Sequence, residues 1–327
     1  MKRRGLSEKE LIADLRERFK SSDDRVILGI GDDAAVISPG DMPLAVTKDM
    51  LVEGVHFLPD HPPHLLARKS LSVNLSDLAA MGARPRFALF GLGIPADTEN
   101  AWLERFFHGL SGIASEHDVS LLGGDITEAP SLTISLTLLG EGRHLIRRSG
   151  ARPGDAVFVS GLLGEAAQGL KLAKQGIMWG ASAGSDRFLK AIYDPVPQVD
   201  LGCRLAGHTV PTAMIDISDG LSVDLEHLCE ESGVGAEVDA AGLPISPELR
   251  QACPDAEEMA LHGGEDYQLL FTVPPEVQEN LTRLPLGHRI TRIGSITGGE
   301  GMVFISADGS RQPLVPRGYQ HFHPDRP

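Results

Sequence analysis

Cysteine, long apolar runs and excess positive charge are all scarce in this sequence, and each scarcity closes off a class. Of 327 residues, three are cysteine, Cys203, Cys229 and Cys253. They are too few for a disulfide framework and lack metal-ligand spacing, so a reducing cytoplasm is expected. No apolar run approaches the ~20 residues that cross a bilayer, and no transmembrane helix is expected. The start, Met1-Lys2-Arg3-Arg4-Gly5, is basic without an apolar signal core. Lysine and arginine number 30 against 45 aspartate and glutamate, a net charge of −15. That balance argues against a nucleic-acid partner and agrees with cation-assisted chemistry. Also missing are the Gly-x-x-x-x-Gly-Lys-Ser/Thr loop, the protein-kinase catalytic loop and the serine elbow of acyl transfer.

What the sequence does hold is carboxylates set among glycines and turns. The stretch Gly29-Ile30-Gly31-Asp32-Asp33-Ala34-Ala35 puts two adjacent acids after a glycine pair. Adjacent like charges in a folded site need a cation or full hydration. The theme returns in Thr47-Lys48-Asp49, Asn74-Leu75-Ser76-Asp77, Gly123-Gly124-Asp125 and Asp216-Ile217-Ser218-Asp219-Gly220. Each is expected beside a turn or a strand end, where such groups suit Mg²⁺ and the phosphates it carries. Gly29-x-Gly31-x-x-Ala34 also fits a dinucleotide-binding fingerprint. That fingerprint requires a helix next, whereas Ala35-Val36-Ile37-Ser38-Pro39-Gly40 reads as a short strand and turn.

The length suits about two domains. Ser7 to Glu10 reads as a capping box opening a helix along Leu11, Leu15 and Phe19. Val26 to Leu28 and Leu44 to Thr47 read as short strands, the second delivering Asp49 at its end. His64 to Met81 reads as a helix closed by Gly82, with Leu71, Leu75 and Leu78 toward the core. Ser70, Asn74 and Asp77 form a separate polar stripe; small polar groups favour a functional face over a solvated one. A helix follows at Trp102 to Ile113, then a strand Val119 to Leu122 ending at Gly123. Residues 132–138 alternate as a half-buried strand. Arg147 to Asp155 breaks the pattern, so a boundary is placed there, giving domains 1–148 and 149–327. In the second half, Ala156 to Val159 is a strand, 176–185 a loose loop, and Ala213 to Ile215 a strand ending at Asp216. The helix after it stops at Gly233 and resembles an anion or metal site at a helix N-terminus; a plain N-cap is the bland reading for Asp219. Gly263-Gly264-Glu265-Asp266 precedes a strand from Tyr267 to Val273. With carboxylates on five turns and no protein nucleophile, metal-assisted phosphoryl transfer fits best.

In this order the segments Gly29 to Asp33, Asp49 to Phe57, Ser72 to Ala83, Gly123-Gly124-Asp125, Asp216 to Leu221 and Gly263 to Tyr267 resemble the thiamine-monophosphate kinase family, over nearly the whole chain. Gly318-Tyr319-Gln320-His321-Phe322 resembles that family's ending. The resemblance implies an α/β (α+β) two-domain aminoimidazole-ribonucleotide synthetase-like fold. It implies a homodimer paired through N-terminal sheets, and direct in-line transfer from ATP to thiamine monophosphate, giving thiamine diphosphate. It carries Mg²⁺ onto Asp33, Thr47, Lys48, Asp49, Asp77, Asp125, Asp216 and Asp219, with Asp33, Asp125 and Asp216 catalytic. It carries ATP onto Gly124, Asp125, Arg148 and Ser218, and the thiamine phosphate onto His56, Glu265 and Tyr319.

Sister families differ by residue. Selenophosphate synthetases carry a reactive cysteine near the N-terminus, and here none precedes Cys203. The hydrogenase-maturation relative ends in a reactive cysteine, and a purine cyclo-ligase should not carry the Asp49-to-Phe57 segment. A catalytically silent binder is the reading from another class, motivated by Lys48 where the family has threonine. Strand alternation points Lys48 away from Thr47 and Asp49, so that only its carbonyl reaches metal. The rival is that its ammonium turns inward and replaces one cation.

Overall fold

The computed structural model describes residues 25–38, 42–281, 284 and 286–319. The expected helix at Ser7 to Phe19, and Gln320-His321-Phe322, lie outside the described residues.

The first half comprises β1 (Val26–Leu28), β2 (Ala35–Ile37), β3 (Leu44–Val52), α1 (Pro63–Ala80), β4 (Arg84–Ile94), α2 (Asn100–Glu116), β5 (Ser120–Glu128) and β6 (Thr133–Glu141). Its strands form one sheet in the order β1-β2-β3-β6-β4-β5. The glycine–aspartate stretch joins β1 to the antiparallel β2 with no helix between them, so the dinucleotide context is absent. The β4–β5 pair is parallel, and α2 supplies the crossover such a pair needs.

The second half runs through β7 (Ala156–Ser160), α3 (Glu165–Lys174), α4 (Ala183–Tyr193), α5 (Val199–Gly207), β8 (Ala213–Asp216), α6 (Leu221–Ser232), β9 (Gly235–Asp239), α7 (Pro247–Ala252), α8 (Ala256–His262), β10 (Leu269–Val273), α9 (Pro275–Leu281), β11 (Ile290–Thr297), β12 (Met302–Ile305) and β13 (Arg311–Pro313). Its sheet order is β13-β12-β9-β11-β7-β10-β8, parallel at β9–β12.

Helix α1 decides how these sheets meet. Of its 18 residues, 14 are buried, polar and apolar alike, so it lies between layers and not on a surface. One side packs on β3, β6 and β4, and another on β8 and α5. Ala79 and Ala80 belong to a core cluster with Leu201, Leu205, Met214 and Phe271 from the second half.

Three expected boundaries move. Strand β3 runs on to Val52 because β6 offers partners as far as Thr133; Asp49 is therefore inside the strand, not at its end. Strand β5 runs through Gly123-Gly124-Asp125 to Glu128, so this segment is not a turn. Its glycine answers a close approach: a Cβ at Gly124 would fall 1.6 Å from the Phe90 carbonyl oxygen. The loop at 176–185 ends early, where the Ser182 hydroxyl accepts from Ser185 N and opens α4.

Candidate active site

Strand β3 and helix α1 build the acidic centre between them. Along β3, Thr47 is buried, Lys48 exposed and Asp49 half-buried, the alternation a pleated strand imposes. Ser70 and Asn74 of the polar stripe are fully buried, which removes the solvated-face reading. Asn74 Oδ1 accepts from Asp49 N at 3.2 Å, while Asn74 Nδ2 donates to Ser70 O at 3.2 Å. Thr47 Oγ1 donates to Asp77 Oδ2 at 2.5 Å. From the other side of α1, Ser76 Oγ donates to Asp216 Oδ2 at 2.6 Å. Thr47 thus holds the carboxylate of α1, Asn74 holds the backbone at Asp49, and Ser76 steadies the Asp216 carboxylate of the second sheet.

The result is a triad: one carboxylate oxygen from each of Asp33, Asp77 and Asp216, all within 4.8 Å of one another. Burial pushes Asp77 well above the usual carboxylate range, helped by the charges of Asp49, Asp216 and Asp33. Burial, then Asp33, raises Asp216 to about 8. Burial raises Asp49 to about 6 against the pull of Lys48, and burial with Asp33 raises Asp32 to about 7. Arg148 offsets part of this: its guanidinium donates to Asp33 Oδ1 at 2.8 Å, and its backbone N–H to Asp32 Oδ2 at 3.2 Å. Asp33 Oδ2 is buried without a hydrogen-bond partner. An orphaned oxygen among crowded carboxylates calls for a cation, and an all-oxygen donor set fits Mg²⁺.

Asp77 and Asp216 of the triad border a cavity of about 1190 Å³, walled also by Asp49, His56, Lys69, Ser218, Asp219, Glu265, Tyr267 and Tyr319, whereas Asp33 is not on that wall. Val52 N donates to His56 Nδ1 at 3.0 Å. Glu265 sits at φ 71° and Tyr267 at φ 47°, a left-handed backbone that non-glycine residues adopt at a cost. The segment is held there by bonds from Glu265 N to Ser218 O at 2.7 Å and from Tyr267 N to Ile217 O at 2.8 Å. This strain delays β10 to Leu269, past the expected start at Tyr267. Tyr319 N donates to Asp219 O at 3.0 Å, closing the wall. Asp219 does not cap α6; Gly220 occupies the N-cap at φ 120°, and Asp224 Oδ2 accepts from Asp219 N and Gly220 N at 3.1 and 3.0 Å.

Two expected groupings are not assembled within one chain. The register aligns Asp125 with Gly91, Gly91 with Ser135, and Ser135 with Met50. Directly paired residues project from the same face, so Asp125 shares the outer face with exposed Met50, opposite Thr47, Asp49 and α1. Gly124 and Asp125 are both exposed and stand outside the cavity wall. Lys48 also looks outward, its Nζ donating to Ser135 Oγ at 2.5 Å. Ser76, Asp224 and Lys69 are site residues that sequence reasoning missed. Ser76 lies off the Ser70–Asn74–Asp77 stripe, and only a helix buried all round gives it a partner.

Residues 31–141 match the family described as AIR synthase related protein, N-terminal domain, and residues 152–306 its C-terminal domain. The chain is 41% identical over 320 residues to the thiamine-monophosphate kinase of Escherichia coli (strain K12), covering 95% of this chain and 97% of that one. It is 38% identical over 300 residues to that of Aquifex aeolicus (strain VF5), covering 90% and 92%. The solved structure of AaThiL complexed with AMPPCP and TMP superposes with a TM-score of 0.88 at 35% identity, covering 98% and 99%. A HypE–HypF complex, at 18% identity and a TM-score of 0.75, shares the fold. Matched along nearly its whole length in both sequence and architecture, the chain belongs to the thiamine-monophosphate kinase family of enzymes, within the AIR synthase related fold.

Proposed function

We propose that this protein transfers a phosphoryl group from ATP to thiamine monophosphate, giving thiamine diphosphate, by direct in-line displacement assisted by Mg²⁺. The observation that carries the reading is the Asp33–Asp77–Asp216 triad, two of whose members, Asp77 and Asp216, stand on the wall of a cavity that Glu265, His56 and Tyr319 also line. The named activity of the relatives, and the ligands named with AaThiL, support the same pair of substrates.

Asp33, Asp77 and Asp216 would hold Mg²⁺ together with Asp49, Asp219 and Thr47, and with the carbonyl of Lys48. Bound there, Mg²⁺ screens phosphate charge and orients the reacting oxygens. Thr47 and Ser76 fix the aim of two carboxylates, and Arg148 holds Asp32 and Asp33 in place through its backbone N–H and its guanidinium. Arg148 and Ser218 would meet ATP. His56, Glu265 and Tyr319 would meet the acceptor, whose own phosphate oxygen is the nucleophile, so no covalent intermediate on the protein is needed.

The proposal includes a homodimer, supported by the outer face of the first sheet, where Met50, Phe87 and Leu89 are 52%, 41% and 46% exposed. Apolar side chains grouped on an open sheet suit an interface. On this reading Gly124 and Asp125 serve a site only through sheet pairing, as catalytic, metal and ATP contacts offered to a second copy. It also includes a cytoplasmic setting, in keeping with three free cysteines, and a domain division near residue 148. No helix among the described residues is long and apolar enough to cross a membrane.

Phosphorus NMR of the chain mixed with ATP, Mg²⁺ and thiamine monophosphate tests the core reading. ADP and a new diphosphate pair are expected. In a parallel mixture with free thiamine, phosphorylation of thiamine while its monophosphate stays untouched would overturn the acceptor assignment. A coupled assay showing no ADP would leave a silent binder.

A further inference from the structure

Lys69 is the most deeply buried cation on the cavity wall, its side chain 2% exposed. Burying an ammonium is costly unless it is paired, and its partners are specific. It forms an ion pair with Glu265 Oε2 and donates to the carbonyl of His56 at 3.4 Å. It therefore ties together the two segments that present the acceptor contacts. Both segments need tying. The turn at 53–57 is short and carries exposed Gly54 and Val55. The segment around Glu265 is strained at φ 71° and 47° and is otherwise held by backbone bonds that fix the chain but not the direction of the carboxylate.

Position along α1 says which end of the ligand this concerns. Lys69 and Asp77 are eight residues apart, so about 12 Å of helix rise separates them. A phosphate held at Lys69 would stand too far from the triad to be the one that reacts. The distance is instead about the length of an acceptor whose phosphate lies at the triad. What reaches Lys69 is then its organic end, a thiazolium cation and an aminopyrimidine. A cation is ill matched to a bare ammonium and well matched to a carboxylate. With Oε2 engaged by Lys69, Oε1 of Glu265 is the oxygen left to accept from the pyrimidine amino group.

We infer that Lys69 is a positioning residue for the acceptor: it sets the Glu265 carboxylate and the His56 turn against the organic end of thiamine monophosphate. The inference rests on the proposed acceptor reading and deepens it.

The test is steady-state kinetics and thermal melting of the full chain carrying Lys69→Met, Lys69→Arg, Lys69→Gln or both Lys69→Met and Glu265→Gln. Lys69→Met should raise the acceptor KM by ~10-fold or more while the ATP KM moves by less than ~3-fold, the pattern of lost ground-state binding to one substrate. Lys69→Arg, which keeps the ion pair, should stay within ~3-fold for both. The double variant should regain melting temperature, because no buried charge is left alone, yet keep the raised acceptor KM. Recovery of both together would show charge compensation only and overturn the inference. So would a Lys69→Met enzyme whose two KM values change alike. If Lys69→Met does not fold, Lys69→Gln, which keeps a polar donor but removes the charge that holds Glu265, must raise the acceptor KM selectively, and an unchanged acceptor KM would overturn the inference. A wild-type chain that does not turn over thiamine monophosphate would instead sink the acceptor reading itself.

Discussion

Asp33 Oδ2, buried with no partner, shows what a single atom demands here. Its carboxylate is held by Arg148 on one oxygen and left open on the other. Asp33→Asn, Asp77→Asn or Asp216→Asn keeps shape and removes a charge from the triad. Each should lower turnover by at least ~10²-fold, the scale of lost electrostatic transition-state stabilisation, with an unchanged circular dichroism spectrum. Near-wild-type turnover of any one at saturating Mg²⁺ would reject that residue's role. Lys48→Thr is the contrasting case. With the ammonium on Ser135 across the outer face, this change should leave the Mg²⁺ dependence of activity and the number of metals in an ATP-analogue complex unaltered. A steeper curve with one more metal would mean that the lysine replaces a cation.

Among elements, α1 and β3 act as one unit, joined by Thr47–Asp77 and Asn74–Asp49. Asn74→Ala should cost about 1–3 kcal/mol by leaving the Asp49 N–H buried and unpaired, read as a lower urea midpoint. It should also weaken Mg²⁺ binding, since Asp49 loses its tether. The same pair shows how far the sequence was legible. Leucine spacing located α1 to within a residue at each end, and the small polar stripe marked a face worth explaining, because both signals are local. Which sheet covers that face is not local. The outward turn of Asp125 depends on the register of β5 on β4, set by partners dozens of residues away. The left-handed backbone at Glu265 and Tyr267 breaks the rule that assigns such conformations to glycine, so Gly263-Gly264 drew attention while the strain lay just beyond. Lys69 has no motif at all; its meaning comes from a carboxylate 196 positions later.

At the scale of the whole molecule, the acidic centre ties stability to pH and metal. Asp216 at about 8 and Asp49 at about 6 stand above their ordinary value of 3.8. Between the ordinary and raised values the folded state holds more protons than the unfolded one. Stability of the metal-free protein therefore falls as pH rises, from about pH 4 through pH 8. Melting temperatures in EDTA should drop across that window, and Asp216→Asn should shallow the drop. Saturating Mg²⁺ should flatten it, because a cation takes the place of the protons. A metal-free protein that grows more stable toward pH 8 would contradict this picture. At the same scale, Leu89→Glu on the outer face should turn the proposed dimer into monomer in sedimentation, with the secondary structure kept; a wild-type chain that sediments as a monomer would reject the dimer. Helix α1 has one more consequence. Because Ala79 and Ala80 are core for the second half while Leu71 and Leu78 are core for the first, neither sheet can melt while the other stays intact. Calorimetry should show one heat-absorption peak whose van't Hoff and calorimetric enthalpies agree, and a fragment ending at residue 148 should aggregate through the bared flank of that helix.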